Sequence, residues 1–199
     1  MTKVVKFLPP VPEKFGPQRA HRKKDKKKLD REGQLNLFTG GKVVKLSQLT
    51  PFEEALMLDE RGDKNNARVL YLKAVDDNDS LADCLCNLGI IEFHDRQYPK
   101  AIDYFTRSLK EDPRHYEAHY NLANLYAEVG DFKLAVFHYQ IAIEIEPAFP
   151  NSYFNLGLTY ALDKDYSRAI GSLTQYKDLV PAEEQHQADE LITALSNTH

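Results

Sequence analysis

A 34-residue step recurs through most of this 199-residue chain. Three tripeptides that begin with Asn-Leu start at Asn87, Asn121 and Asn155, one step apart. The same step links four alanines, a set of aromatic or leucine residues and three prolines: Ala67, Ala101, Ala135, Ala169; Tyr71, Phe105, Tyr139, Leu173; Pro113, Pro147, Pro181. Because a short unit cannot bury its own apolar face, such a period predicts an array of stacked repeats.

Each repeat contains two amphipathic stretches of helical length, which 82–95 and 98–111 illustrate. Turn pairs separate the two stretches in every repeat: Gly62-Asp63, Asp95-Arg96, Gly130-Asp131 and Lys164-Asp165. Thr50-Pro51-Phe52-Glu53 predicts a helix start, since Thr can cap, Pro suits the first turn and Glu can close a capping box. The pattern therefore predicts an all-α protein.

The sequence resembles the tetratricopeptide repeat family. The resemblance is carried by Asn-Leu-Gly with a tyrosine downstream, then Ala, an aromatic residue and a closing Pro. It implies a right-handed solenoid of four helix pairs, with repeats at about 48–81, 82–115, 116–149 and 150–183. We also expect a C-terminal capping helix at about 182–196. The first repeat departs from the pattern because Glu53-Glu54-Ala55 replaces Asn-Leu-Gly.

Charge is divided unevenly along the chain. Residues 1–45 hold 13 Lys or Arg and 4 Asp or Glu, whereas residues 46–199 hold 13 basic and 26 acidic residues. The N-terminal part also carries four of the prolines and too little apolar material for a core. We therefore predict a basic, largely disordered tail over residues 1–46 and a repeat domain over 47–199.

The composition and the short motifs predict the cellular compartment and whether the protein is an enzyme. The chain has two cysteines, Cys84 and Cys86, and no apolar run of the length that a membrane helix needs, so we expect a cytoplasmic protein without a membrane partner. Phosphate-loop, dinucleotide and Gly-x-Ser-x-Gly motifs are missing, so we expect neither an enzyme nor a cofactor. His115 and His119 have metal-ligand spacing, but no further ligand completes a site and a packed histidine is the favoured interpretation.

The family resemblance implies a ligand in the concave groove formed by the first helix of each repeat. Carried over residue by residue, the peptide-binding positions are Asp83, Asn87, Glu117, Tyr120, Asn121, Asn124, Phe154 and Asn155. The same helices add Glu128, Asn151, Leu158 and Leu162. None is Lys or Arg, which argues against the carboxylate tails that other family members take from chaperones. Acidic residues favour a neutral or basic segment.

Asn87, Asn121 and Asn155 form a ladder at the repeat step. An amide side chain can donate to and accept from a peptide backbone, so a ladder of amides could hold an extended chain. The alternative is that these asparagines brace neighbouring turns. The leading hypothesis is a non-catalytic scaffold that binds an extended protein segment.

A second hypothesis rests on the tail. Gln34, Leu35, Leu37 and Phe38 belong to a five-residue segment that resembles the peptide by which bacterial replication proteins dock on the sliding clamp. The competing interpretation is that its apolar residues cover the first repeat. A basic run could also contact nucleic acid weakly and without sequence preference: Arg22, Lys23, Lys24, Lys26, Lys27 and Lys28. Its alternative is a solubilising tail. Together these features form the alternative hypothesis, a nucleic-acid- or clamp-associated accessory protein recruited through its tail.

Overall fold

The computed structural model describes residues 49–197 of the chain. The predicted tail, its clamp-like peptide and its basic run lie outside these residues and stay predictions. Between residues 49 and 197 the chain is all-α and contains no strand. The helices are α1 Pro51–Glu60, α2 Lys64–Asp76, α3 Leu81–His94, α4 Tyr98–Glu111, α5 Tyr116–Glu128, α6 Phe132–Ile145, α7 Pro150–Leu162, α8 Tyr166–Leu179 and α9 His186–Ser196.

The helices pair as the repeat step predicts, with α1 on α2, α3 on α4, α5 on α6 and α7 on α8. The prediction of an all-α protein built from helix pairs is therefore confirmed for residues 49–197. The described residues form two compact units that divide between Asp112 and Pro113. No helix in the described range is long and apolar enough to cross a bilayer.

The unit before the division has its core between the two helix pairs. Phe52 and Tyr71 are buried, and their ring centroids lie 6.1 Å apart. Gly89 lets α3 approach α4, because a Cβ added there would lie 2.6 Å from the ring of Phe105. The capping box of α1 forms as predicted: Glu53 N donates to Thr50 Oγ1 at 3.3 Å, and Thr50 N donates back to the Glu53 carboxylate at 3.0 Å.

The unit after the division has a core of tyrosines, phenylalanines and small residues. α9 adds Ala188 and Leu195 to this core. The capping helix begins at His186, later than the predicted residue 182, because residues 182–184 form a separate 3-10 turn. Gln185, which directly precedes α9, connects that helix to α8, since its Nε2 donates to the carbonyls of Lys177 and Val180 at the end of α8.

All four turns inside the repeats share one backbone conformation. The residue at each turn has a positive φ: 84° at Gly62, 57° at Arg96, 82° at Gly130 and 65° at Lys164. In three repeats the next residue is an aspartate whose carboxylate accepts from the third backbone N–H of the following helix: Asp63, Asp131 and Asp165. In the second repeat that position is Gln97, which makes no such bond.

Candidate peptide-binding surface

In the unit after Pro113, one face of α5 and one face of α7 carry most of the predicted ligand positions. Glu117, Asn121, Asn124 and Glu128 follow an i, i+4, i+7, i+11 spacing on α5, so they share a side of that helix. The equivalent row on α7 is Asn151, Asn155, Leu158 and Leu162. We call these two rows the α5–α7 face.

Hydrogen bonds join the two helices beneath this face. Asn155 Nδ2 donates to Tyr120 Oη at 2.9 Å and to Asn124 Oδ1 at 2.8 Å. Tyr139, on α6, also donates to Asn124 Oδ1, at 2.5 Å. The sequence placed Tyr139 among packing aromatics and missed its part in this network, because its repeat position indicates only a buried ring.

The network carries no charge at ordinary pH. Burial is the main reason that the pKa of Tyr120 is raised above its usual value. Burial likewise raises the pKa of Tyr139 well above its ordinary range. Both phenols therefore remain protonated and serve as hydrogen-bonding groups, and neither is poised as a base.

Several predicted ligand positions are deeply buried. Tyr120 is 0% exposed and makes edge contacts with the rings of Phe149 and Tyr139 at 5.1 and 6.0 Å. Phe154 is 1% exposed and lies 5.0 Å from the Tyr176 ring. In this conformation neither ring offers a surface that a ligand could touch. Asn121 is also buried, at 2%.

Asn124 is the half-buried amide of the network. Its Oδ1 accepts from Tyr139 and Asn155, which fixes the orientation of the amide. Its Nδ2 is covered but has no hydrogen-bond acceptor among residues 49–197. A covered donor without an acceptor costs about 1–3 kcal/mol, so this group gains from any carbonyl oxygen that reaches it.

The charged groups of the α5–α7 face are acidic. Glu128 is exposed, whereas Glu117 is buried and its Oε2 lies 3.2 Å from Nδ1 of His115. Neither row contains Lys or Arg. Leu158 and Leu162 contribute apolar surface, and Leu162 is 47% exposed. The face thus combines an amide, apolar side chains and acidic side chains.

The first unit carries the two remaining predicted positions on α3. Asn87 is fully buried and donates from Nδ2 to the phenol of Tyr71 at 3.2 Å. Asp83 is half-buried at the first turn of the same helix. Asn87 and Asn155 therefore both donate to buried tyrosines, which is the kind of contact that the bracing hypothesis invokes.

His119 is packed, and its ring faces His138, a partner that the repeat pattern did not predict. His119 Nδ1 lies 3.0 Å from His138 Nδ1, and His119 Nε2 lies 3.3 Å from the carbonyl of Pro113. The two ring centroids are 5.3 Å apart, close to the N···N distance plus both ring radii, so the nitrogens face head-on. This is hydrogen-bond geometry, since a shared metal needs both lone pairs to converge on a third point. Among the described residues no group of three metal-ligating side chains occurs.

Comparisons with known families match the repeat pattern. One model described as tetratricopeptide repeat matches residues 82–115 and 116–149, and a second model with the same description matches residues 138–171. These matches confirm tetratricopeptide repeats in that part of the chain.

Parts of the chain are similar to curated proteins. BBSome complex member BBS4 of Bos taurus is 27% identical over 121 residues, which is 61% of this chain and 23% of that protein. Anaphase-promoting complex subunit 3 of Schizosaccharomyces pombe is 34% identical over 74 residues, 37% of this chain and 11% of that protein. Hsp70-Hsp90 organizing protein 3 of Arabidopsis thaliana is 26% identical over 78 residues, 39% of this chain and 14% of that protein. The chain thus spans less than a quarter of the length of these relatives.

Solved structures share the fold. A MamA structure has a TM-score of 0.62 at 20% identity and covers 76% of this chain and 82% of its own. The first TPR of Spaghetti (RPAP3), bound to the HSP90 peptide SRMEEVD, has a TM-score of 0.55 at 21% identity, covering 58% and 90%. The TPR2B domain of yeast Sti1, in a complex with pHsp70, has a TM-score of 0.55 at 23% identity, covering 59% and 98%. At these identities the similarity establishes the fold.

Proposed function

We propose that this protein is a non-catalytic adaptor that binds an extended, neutral or basic protein segment on the α5–α7 face. The observation that carries the proposal is the Asn124 amide. Its oxygen is held by Tyr139 and Asn155, and its nitrogen has no acceptor in the described part of the chain. A fixed amide with a donor to spare suits the backbone carbonyl of a ligand, because every residue of an extended segment presents one.

The burial pattern divides the predicted positions into two roles. Asn124, Glu128, Leu158 and Leu162 have surface to offer a ligand. Tyr120, Asn121, Phe154 and Asn155 are buried and hold the two helices in place. Because the Asn124 nitrogen is itself covered, the proposal requires neighbouring side chains to move aside before a ligand carbonyl reaches it.

The charge of the α5–α7 face determines which class of ligand segment it can bind. The HSP90 peptide bound to the Spaghetti domain, SRMEEVD, contains three acidic residues. Here the ligand would meet the exposed Glu128, with the buried Glu117 on the same row, and no Lys or Arg on either row. Like charges would repel such an acidic tail, so the proposed partner presents a neutral or basic segment.

Selection from a phage-displayed library of random linear peptides tests the proposal. We expect the full-length protein to enrich neutral or basic peptides. By fluorescence anisotropy, Asn124→Ala and Leu158→Asp should each weaken the enriched peptides about tenfold, a loss of about 1.4 kcal/mol.

Gln175→Ala is the matched control, since Gln175 is exposed on α8 and lies outside the α5–α7 face. It should bind like the parent protein. Enriched peptides that bind the Asn124 and Leu158 variants unchanged would place the ligand on another surface and refute the proposal.

A further inference from the structure

The outer side of α6 carries apolar residues in solvent. Phe137 is 55% exposed and Leu134 is 40% exposed, and Ile141 lies half-buried one turn further along. The opposite side of this helix is already used, since Ala135 and Tyr139 are fully packed in the core. The exposed residues therefore contribute little to the packing of their own repeat.

The neighbouring second and fourth repeats lack apolar side chains where α6 carries them. One step of 34 residues before Leu134, Phe137 and Ile141, α4 carries Lys100, Asp103 and Arg107. One step after them, α8 carries Arg168, Gly171 and Gln175. All six of these residues are exposed. In the first repeat the same positions are Asn66, Val69 and Lys73, so Val69 is an exposed apolar residue at the position of Phe137. The repeat fold thus tolerates polar side chains at these positions. Among the four repeats α6 alone has apolar residues at all three, which favours a contact made outside the repeat.

Two opposite charges flank the apolar row. Lys133, Phe137, Gln140 and Glu144 follow an i, i+4, i+7, i+11 spacing and are all exposed. Lys133 and Glu144 lie about 16 Å apart along the axis, at 1.5 Å per residue, so they cannot pair with each other. Neither forms an ion pair with any residue in the described range.

This arrangement is complementary to itself. If two copies of α6 lie antiparallel about a two-fold axis near Phe137 and Ile141, Phe137 of one copy meets Ile141 of the other. The same operation brings Lys133 of each copy to Glu144 of the other, so both ion pairs form at once. A two-fold interface uses the same patch on both molecules, which is what this row provides.

We propose that the outer side of α6, between Lys133 and Glu144, binds a second copy of this chain in an antiparallel, two-fold contact. One helix row buries less surface than a stable interface of about 1,200–2,000 Å² needs, so the dimer is weak and depends on concentration. The contact leaves the α5–α7 face free and does not rest on the proposed peptide binding.

Sedimentation velocity of the full-length protein over a wide range of concentrations, up to millimolar, tests the proposal. We expect a monomer–dimer equilibrium. Phe137→Asp copies the residue that the second repeat carries at this position, so the fold should accept it, and circular dichroism checks that. This variant should weaken the dimer about tenfold or more.

Exchange of the two charges tests whether the partner of α6 is a second copy of this chain. Lys133→Glu alone, or Glu144→Lys alone, places like charges opposite each other and should weaken the dimer several-fold. The double variant restores both ion pairs between copies and should recover the parent's association. Recovery cannot arise inside one molecule, because the two residues are three turns apart on one helix.

Three results would overturn the proposal. The first is a protein that stays monomeric at every concentration. The second is a dimer that Phe137→Asp leaves unchanged, because the contact would then lie on another face. The third is a double charge variant that associates no better than the single variants, because the copies would then not pair in the antiparallel arrangement.

Discussion

At the scale of single residues, the turn inside each repeat requires one residue with a positive φ. Gly62 and Gly130 adopt this conformation without steric cost. Arg96 and Lys164 adopt it too, although their side chains give no preference for positive φ. These two residues adopt it because the helices on both sides impose the same turn as in the glycine-containing repeats.

The missing cap in the second repeat gives a stability prediction. Gln97→Asp should create the bond that Asp63, Asp131 and Asp165 make, and place a negative charge at a helix N-terminus. We expect the free energy of unfolding to rise by about 0.5–1 kcal/mol in urea denaturation. Asp131→Ala, the reverse change in the next repeat, should lower it by about 1 kcal/mol. A Gln97→Asp protein no more stable than the parent would contradict this account of the turn.

The His119–His138 pair gives a pH prediction. Burial, with the His119 charge as a smaller cause, lowers the pKa of His138 to about 4, and burial also lowers the pKa of His119. Since an unfolded histidine has a pKa of about 6.5, the unfolded chain binds more protons than the folded chain between the folded and unfolded pKa values. Stability should thus be complete above pH 6.5 and fall by about 1–3 kcal/mol as the pH drops from 6.5 to 4.

His138→Gln tests this prediction through unfolding at several pH values. The variant should lose less stability than the parent between pH 6.5 and 4. His186→Gln is the control, because the His186 side chain is 81% exposed and its removal should leave the pH profile as it was. Parallel profiles for the His138 variant and the parent would show that the pair does not govern the acid response.

At the scale of helices, the periodic pattern predicted the pairs, their bounds and the small residues between them. It could not predict the amide–phenol network, because the sequence does not show which side of an asparagine or tyrosine meets a neighbour. From the sequence alone, Asn155 fits a ligand-binding role and a structural role equally well. The contacts with Tyr120 and Asn124 give it a structural task.

Asn155→Ala measures that task. The change leaves the buried Tyr120 hydroxyl without this donor, so the free energy of unfolding should fall by about 1–3 kcal/mol. Thermal and urea denaturation provide the measurement, with Gln175→Ala as a surface control of little effect. A fully stable Asn155→Ala protein would show that the amide is not a brace.

At the scale of the molecule, the prediction that residues 47–199 form an independent domain can be tested directly. Stability in a repeat array comes from neighbouring repeats, so removal of residues 1–46 should leave the thermal midpoint and the helical signal almost unchanged. Circular dichroism of the shortened and full-length proteins gives both values. A fall of many degrees would support the alternative in which Leu35, Leu37 and Phe38 cover the first repeat.

The central claim is that an extended segment lies on the α5–α7 face. Site-specific photo-crosslinking of a library-selected peptide to the full-length protein tests it most directly. With a benzophenone residue at Leu158, we expect efficient crosslinking that excess unlabelled peptide suppresses. With the same residue at Gln175, on the outer helix α8, we expect little crosslinking. Equal crosslinking at both positions, or crosslinking at Gln175 alone, would contradict the claim.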